Sequence, residues 1–163
     1  MDLYGAVVFV HATTILLFFV AHGTSMAVAF ALKRETDPAR VRALLDLSRF
    51  SLGVPVLVLV VIGLLTGILA GFMGGHWGTG WLWISIVLFV LVGGLMTPLA
   101  TFRLKPIRAA AGMPLETGVP EAPPQENPEE LRRLIDAWNP MVPASMGLIG
   151  FIVILYLMLV KPF

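Results

Sequence analysis

The stretch LYGAVVFVHATTILLFFVAHGTSMAVAFAL, residues 3–32, decides the fold of this chain. It holds two histidines but no other basic or acidic side chain, and as a helix it would be about 45 Å long, more than a bilayer's hydrocarbon core. With 58% hydrophobic and 13% charged residues, the whole chain is too apolar for a soluble globular protein. No basic residue precedes the stretch, so we expect a retained membrane-spanning helix rather than a signal peptide.

Three further apolar stretches, at about residues 51–73, 81–102 and 143–160, are each long enough to cross a bilayer. Short connections join the spans, so the sequence predicts an all-α membrane protein: a four-helix transmembrane antiparallel bundle, a single domain over residues 1–163. Gly53 and Pro55 predict a kink at the start of the second span. Amphipathic stretches before the second and fourth spans, the latter at 129–139, predict short interfacial helices.

The connections between the spans carry the charge and the turn signals. Asp37-Pro38 and Asn127-Pro128 each pair a capping side chain with a proline suited to a first helical position. Residues 103–128 are rich in proline and poor in apolar side chains, which predicts a mobile polar loop. Basic residues lie in the first and third connections but not at 74–80, so we expect a bacterial inner-membrane protein with this loop in the cytoplasm and both termini outside it.

His11 and His22 are the histidines inside the spans, and their spacing of eleven residues puts them on one face of the first helix. Buried in a bilayer, they need hydrogen-bond partners or a function. One interpretation is structural, with hydroxyl partners such as Thr66, Thr97 or Ser145. The alternatives are axial ligation of haem b, a copper site at His22 and Met26, and quinone or proton handling. The second haem ligand would be a histidine of a second copy, or Met96 or Met146 of this chain.

Gly63, Gly67 and Gly71 form two overlapping GxxxG motifs in the second span. They remove side chains from one stripe of the helix and let a neighbour approach closely. The stripe is therefore expected to be a helix-packing face, either toward another span of this chain or toward a second copy.

Several short motifs resemble those of a bacterial four-span membrane family catalogued as a domain of unknown function. They cover nearly the whole chain: Val10-His11-Ala12, Leu65-Thr66-Gly67, Trp81-Leu82-Trp83, and Tyr156-Leu157-Met158 with Lys161-Pro162. The resemblance implies a distant relation to four-span proteins with histidine-bearing helices, including the copper-resistance membrane domain and b-type cytochromes, by analogy of fold.

The sequence contains no hydrolase, phosphate-loop or zinc-protease signature and no cysteine. Its basic residues flank the spans and imply no nucleic-acid partner. We therefore expect a non-enzymatic accessory or partner-binding membrane subunit, in contact with the lipid bilayer and with a second copy or a larger membrane complex. A haem-binding electron-transfer protein using His11 and His22 is the first alternative, and copper or quinone handling is the second.

Overall fold

The computed structural model describes residues 2–52, 54–114 and 125–163, without the side chains of residues 50–52, 97 and 101. Within this part of the chain the backbone forms six α-helices and one short 3-10 turn, His76–Gly78. The helices are α1 (Leu3–Arg34), α2 (Pro38–Leu52), α3 (Val54–Met73), α4 (Gly80–Ala110), α5 (Pro128–Ala137) and α6 (Met141–Val160). The helices over 3–34, 38–73, 80–110 and 141–160 are long and apolar enough to cross a membrane, which confirms the predicted all-α four-span bundle.

The two predicted helix starts are confirmed. Pro38 is the first residue of α2, and the Asp37 carboxylate accepts a hydrogen bond from the Ala39 amide at 2.9 Å. Asn127 caps α5 by accepting from the Glu130 amide at 3.0 Å. The expected kink falls on Gly53, which lies outside the described residues.

The four spans pack as two antiparallel pairs, α1 with α3 and α4 with α6. Aromatic contacts join the pairs near the middle of α1. The Phe18 ring centroid lies 6.3 Å from that of Phe89 on α4 and 5.4 Å from that of Phe151 on α6. Helix α1 is therefore the central element, with α3 against one part of it and the α4–α6 pair against another.

The largest buried cluster lies at one end of the bundle, where α1, α2, α4 and α5 meet; we call this the charged end. Its members are Val28, Ala29, Leu32, Val41, Leu45, Leu104, Ile107, Ala110, Ala111, Met113, Leu131, Ile135 and Trp138. The apolar faces of the two amphipathic helices are thus buried against other helices of the chain. Helix α4 continues through Ala110, so the prediction of a loop from residue 103 is wrong for residues 103–110, which are helical.

Lys33 and Arg132 fasten α5 to α1 at the charged end. Lys33 Nζ donates to the carbonyls of Ile135 and Asp136 at the end of α5, at 3.1 and 2.9 Å. Arg132 donates in return to the carbonyls of Lys33 and Glu35 at the end of α1, at 3.3 and 3.1 Å. Each helix therefore supplies the cation that satisfies the unpaired carbonyls and negative dipole end of the other.

Aromatic side chains gather at the opposite end, which we call the tryptophan end. Trp81 and Leu82 are buried there against Leu157 of α6. The Lys161 ammonium lies 5.6 Å from the Trp81 ring centroid, and the Trp81 amide donates to the Phe163 carbonyl at 3.4 Å. These contacts fix the end of α6 to the start of α4.

Candidate functional site on the first helix

His11 faces α3. Its Nδ1 lies 2.9 Å from the Gly63 carbonyl oxygen and 3.4 Å from the Thr66 hydroxyl. A carbonyl oxygen accepts only, so Nδ1 carries the proton and donates to Gly63. The Thr66 hydroxyl has acceptors of its own, the carbonyls of Ile62 and Gly63. His11 is therefore fixed in one tautomer by a backbone carbonyl of the neighbouring span.

Gly67 lies directly beneath the His11 ring. A Cβ at this position would be 2.8 Å from His11 Cε1 and 3.2 Å from Nδ1. The other two glycines of the GxxxG motifs also lie close to side chains of neighbouring elements. Gly63 packs against Thr14 and Ile15 of α1, and Gly71 packs against Leu82 and Trp77. The missing side chains of the stripe thus make room for an imidazole and for apolar groups of α1 and α4, within one chain.

His22 lies two-thirds of the way along α1 and faces α6 and α4 instead. A Cβ on Gly147 of α6 would lie within 2.6 Å of the His22 ring and 3.0 Å from the Met96 methyl group of α4. The His22 ring also stacks on Phe151, with 6.5 Å between centroids. His22 Nε2 is buried and has no hydrogen-bond partner among the described residues.

The structure thus separates the two histidines, which share a face of α1 but contact different helices. The His22 ring and the Met96 methyl group both lie against the Cβ position of Gly147. Met146 is half-buried next to Gly147, and Met26 is half-buried one turn after His22. In the described part of the chain, no three His, Asp or Glu side chains are grouped as a metal site.

Sequence reasoning missed Gly147 as the residue on which His22 packs and Trp77 as a buried polar group. A second glycine, Gly150, follows Gly147 by three residues and also lies on a buried face, against Val92 of α4. Two closely spaced glycines in a span indicate a helix-packing face, so this pair on α6 was the sequence signal for the contact with His22. The Trp77 indole nitrogen is buried with no acceptor among the described residues.

The fold and these contacts define a four-span, all-helical integral membrane protein whose first helix packs two histidines onto glycines of neighbouring spans. The chain belongs to the family described as predicted integral membrane protein (DUF2269), which it matches over residues 6–162. No curated protein and no solved structure matches it.

Proposed function

We propose that this protein is a non-enzymatic membrane subunit that binds a helix of another membrane protein along α1. The observation that carries the proposal is an exposed stripe on α1 with alternating spacings of four and three residues: Phe9, Thr13, Leu16, Val20, Gly23 and Ala27. This is the repeat by which two helices pack along each other in a left-handed crossing.

Two members of the stripe support a protein partner rather than lipid alone. The Thr13 hydroxyl has no hydrogen-bond partner among the described residues, whereas Thr14 and Thr24 each donate to a carbonyl four residues earlier. An unbonded hydroxyl is costly in hydrocarbon, and a neighbouring helix offers hydroxyl or carbonyl acceptors. A Cβ on Gly23 would meet no atom within 4 Å, so a second helix can approach closely there.

Site-specific photocrosslinking in native membranes tests the proposal. A benzoylphenylalanine at Leu16, which is 66% exposed, is compared with one at Leu65 on α3, which is 61% exposed. We expect one protein adduct of defined mass from position 16 and none from position 65. The Gly23→Leu variant blocks the stripe and should abolish this adduct. Native mass spectrometry should detect the unmodified protein in a complex of fixed stoichiometry with the same partner. Adducts of lipid alone, or equal adducts from both positions, would contradict a partner on α1. A self-adduct would identify a second copy and also overturn the proposal.

The orientation of the protein is a separate proposal, carried by the basic residues that cluster at the charged end. We propose that this end faces the cytoplasm of a bacterial inner membrane and that both termini lie outside it. Since the chain has no cysteine, single cysteines at Ala43 and Gly78, exposed at opposite ends, report the topology directly. A membrane-impermeant maleimide added to intact spheroplasts should label Gly78→Cys only; labelling of Ala43→Cys alone would reverse the orientation.

A metal- or haem-binding function is the second candidate, carried by the unbonded Nε2 of His22 beside Met96. Imidazole and thioether are the donors that Cu(I) prefers. Haem b at His22 would require α1 and α6 to separate, because Gly147 packs directly on the ring. Protein purified from cells supplied with haem and copper should show a Soret band or bound copper that His22→Gln abolishes. A colourless, metal-free preparation would refute this second candidate.

A further inference from the structure

Two basic side chains near the end of α4 have no anionic partner within the described part of the chain. Arg103 and Lys105 are exposed, and neither makes an ion pair or a hydrogen bond with a described residue. Most other basic residues of the charged end have acceptors: Lys33 and Arg108 donate to carbonyl groups, and carboxylates pair with Arg40, Arg42, Arg49, Arg132 and Arg133. Helix α4 itself contains no acidic residue. An anion that balances Arg103 and Lys105 therefore comes from outside the described residues.

The helix dipole does not account for these two cations. It stabilises basic side chains only within the last turn of a helix, and α4 continues to Ala110, more than a turn beyond both of them. Arg34 also lacks an acidic partner among the described residues, but it is the last residue of α1 and lies at the negative end of that dipole. Arg103 and Lys105 thus need a different explanation.

The depth of the two cations matches the phosphate level of a bilayer. The part of α4 that precedes them, residues 80–102, contains no charged side chain and is about 34 Å long, slightly more than the hydrocarbon core. Trp81 and Trp83 mark one end of this run, and Arg103 follows directly after the other. The anions that are abundant at this depth are the phosphate groups of lipids.

An exposed apolar stripe on α4 leads up to the two cations. Its members recur every three or four residues, which places them on one face of the helix: Ile84, Val87, Leu91, Leu95, Leu99 and Phe102. Phe102, at the end of this α4 stripe, is 75% exposed. At about 100° per residue, Arg103 and Lys105 lie on opposite sides of it. An acyl chain along the α4 stripe therefore ends with its phosphate between two cations.

The composition of the α4 stripe favours lipid over another helix. Helix interfaces within membranes depend on small residues and on hydrogen bonds between helices, because apolar burial alone gains nothing against lipid tails. The α4 stripe contains only large apolar side chains. The stripe on α1, in contrast, includes Thr13 and Gly23.

We propose that α4 binds an anionic phospholipid in the leaflet at the charged end. Its phosphate pairs with Arg103 and Lys105, and its acyl chain lies along the α4 stripe. The site does not depend on a protein partner at α1 or on which side of the membrane the charged end faces, so it stands or falls separately from both proposals.

Fluorescence quenching by nitroxide-labelled lipids tests the site on the full chain in phosphatidylcholine bilayers. Because the chain has no cysteine, a single bimane fluorophore can be attached at Leu95→Cys, on the α4 stripe. The matched control is Leu57→Cys in the first turn of α3, since the two leucines are 54% and 61% exposed. Each is titrated with phosphatidylglycerol and with phosphatidylcholine that carry the same labelled acyl chain.

Phosphatidylglycerol should bind at position 95 at least fivefold more tightly than phosphatidylcholine, because one basic residue near an anionic lipid contributes about this factor. At position 57 the ratio should be close to one. Combining Arg103→Gln with Lys105→Gln should remove the preference at position 95. Arg40→Gln removes the same charge from a residue that is already paired with Glu35 and Asp37, and it should leave the preference intact. Raising the ionic strength should weaken the preference in a chain with its basic residues unchanged.

Equal binding of the two lipids at position 95 would overturn the proposal. So would an equal preference at position 57, a preference that survives the double glutamine variant or high salt, or the same loss with Arg40→Gln. In native membranes, a benzoylphenylalanine at Leu95 should yield lipid adducts; a protein adduct there would show that a protein covers this face and would also overturn the proposal.

Discussion

Replacing Gly67 by alanine should loosen the contact between α1 and α3. The new methyl group would lie 2.8 Å from His11 Cε1, closer than such atoms approach, so the ring must move. The ring is held by its bond to the Gly63 carbonyl at 2.9 Å, and moving it lengthens or breaks that bond. The substitution therefore tests whether His11 is seated on this glycine.

The expected loss follows from two costs and one gain. Overpacking a close contact costs about 1–3 kcal/mol, and a lost hydrogen bond inside a membrane protein costs about 0.6 kcal/mol. Alanine offsets up to about 1 kcal/mol through its better helix propensity. Gly94→Ala on α4 has the same gain and no clash, since its Cβ would meet nothing within 4 Å. The gain is common to both variants and cancels, so Gly67→Ala should be less stable than Gly94→Ala by about 1.5–3.5 kcal/mol.

Denaturant unfolding in mixed micelles, followed by far-UV circular dichroism, measures this difference between the two variants. The same measurement on Gly67→Ala combined with His11→Ala completes a double-mutant cycle. Without the imidazole, alanine at position 67 should cost little or nothing. If Gly67→Ala is as stable as Gly94→Ala, or equally destabilising with and without His11, the ring is not seated on Gly67 and the reasoning fails.

Two further predictions concern the other end of α1. Gly147→Ala should destabilise the protein by about 1–3 kcal/mol because the methyl group would overlap the His22 ring, and His22→Ala should relieve that loss in the same unfolding assay. The hydrogen bond from Arg132, four residues earlier on the same helix, lowers the pKa of Asp136 below its ordinary value. The pair therefore stabilises helix α5 above that ordinary value, and the contribution is lost as the pH falls through the lowered pKa. The amide hydrogen-exchange rates of α5, corrected for the intrinsic effect of pH, should rise as the pH falls through this range. The rise should be smaller in Asp136→Asn, which has no carboxylate to titrate. An equal rise in the variant and the unmodified chain would contradict the pairing.

The sequence alone determined the four spans and the helix starts at Pro38 and Pro128. Span length follows from the thickness of the bilayer, and a cap depends on a side chain and an amide two or three residues away. These are local properties, so no knowledge of neighbouring helices is needed. The loop was predicted to begin at residue 103 because the stretch that follows is rich in proline, which disfavours a helix. In the structure α4 continues past Pro106 to Ala110, since Leu104 and Ile107 are buried in the cluster at the charged end.

Only the tertiary structure decided what each histidine contacts. His11 and His22 share a face by helical geometry, but the helices that cross that face differ with depth, so His11 meets Gly63 and Gly67 while His22 meets Gly147. No local pattern encodes where a neighbouring helix crosses. The same holds for Arg132, whose partners at the end of α1 lie about a hundred residues away in sequence and are set by the docking of α5 on a core shared by four helices.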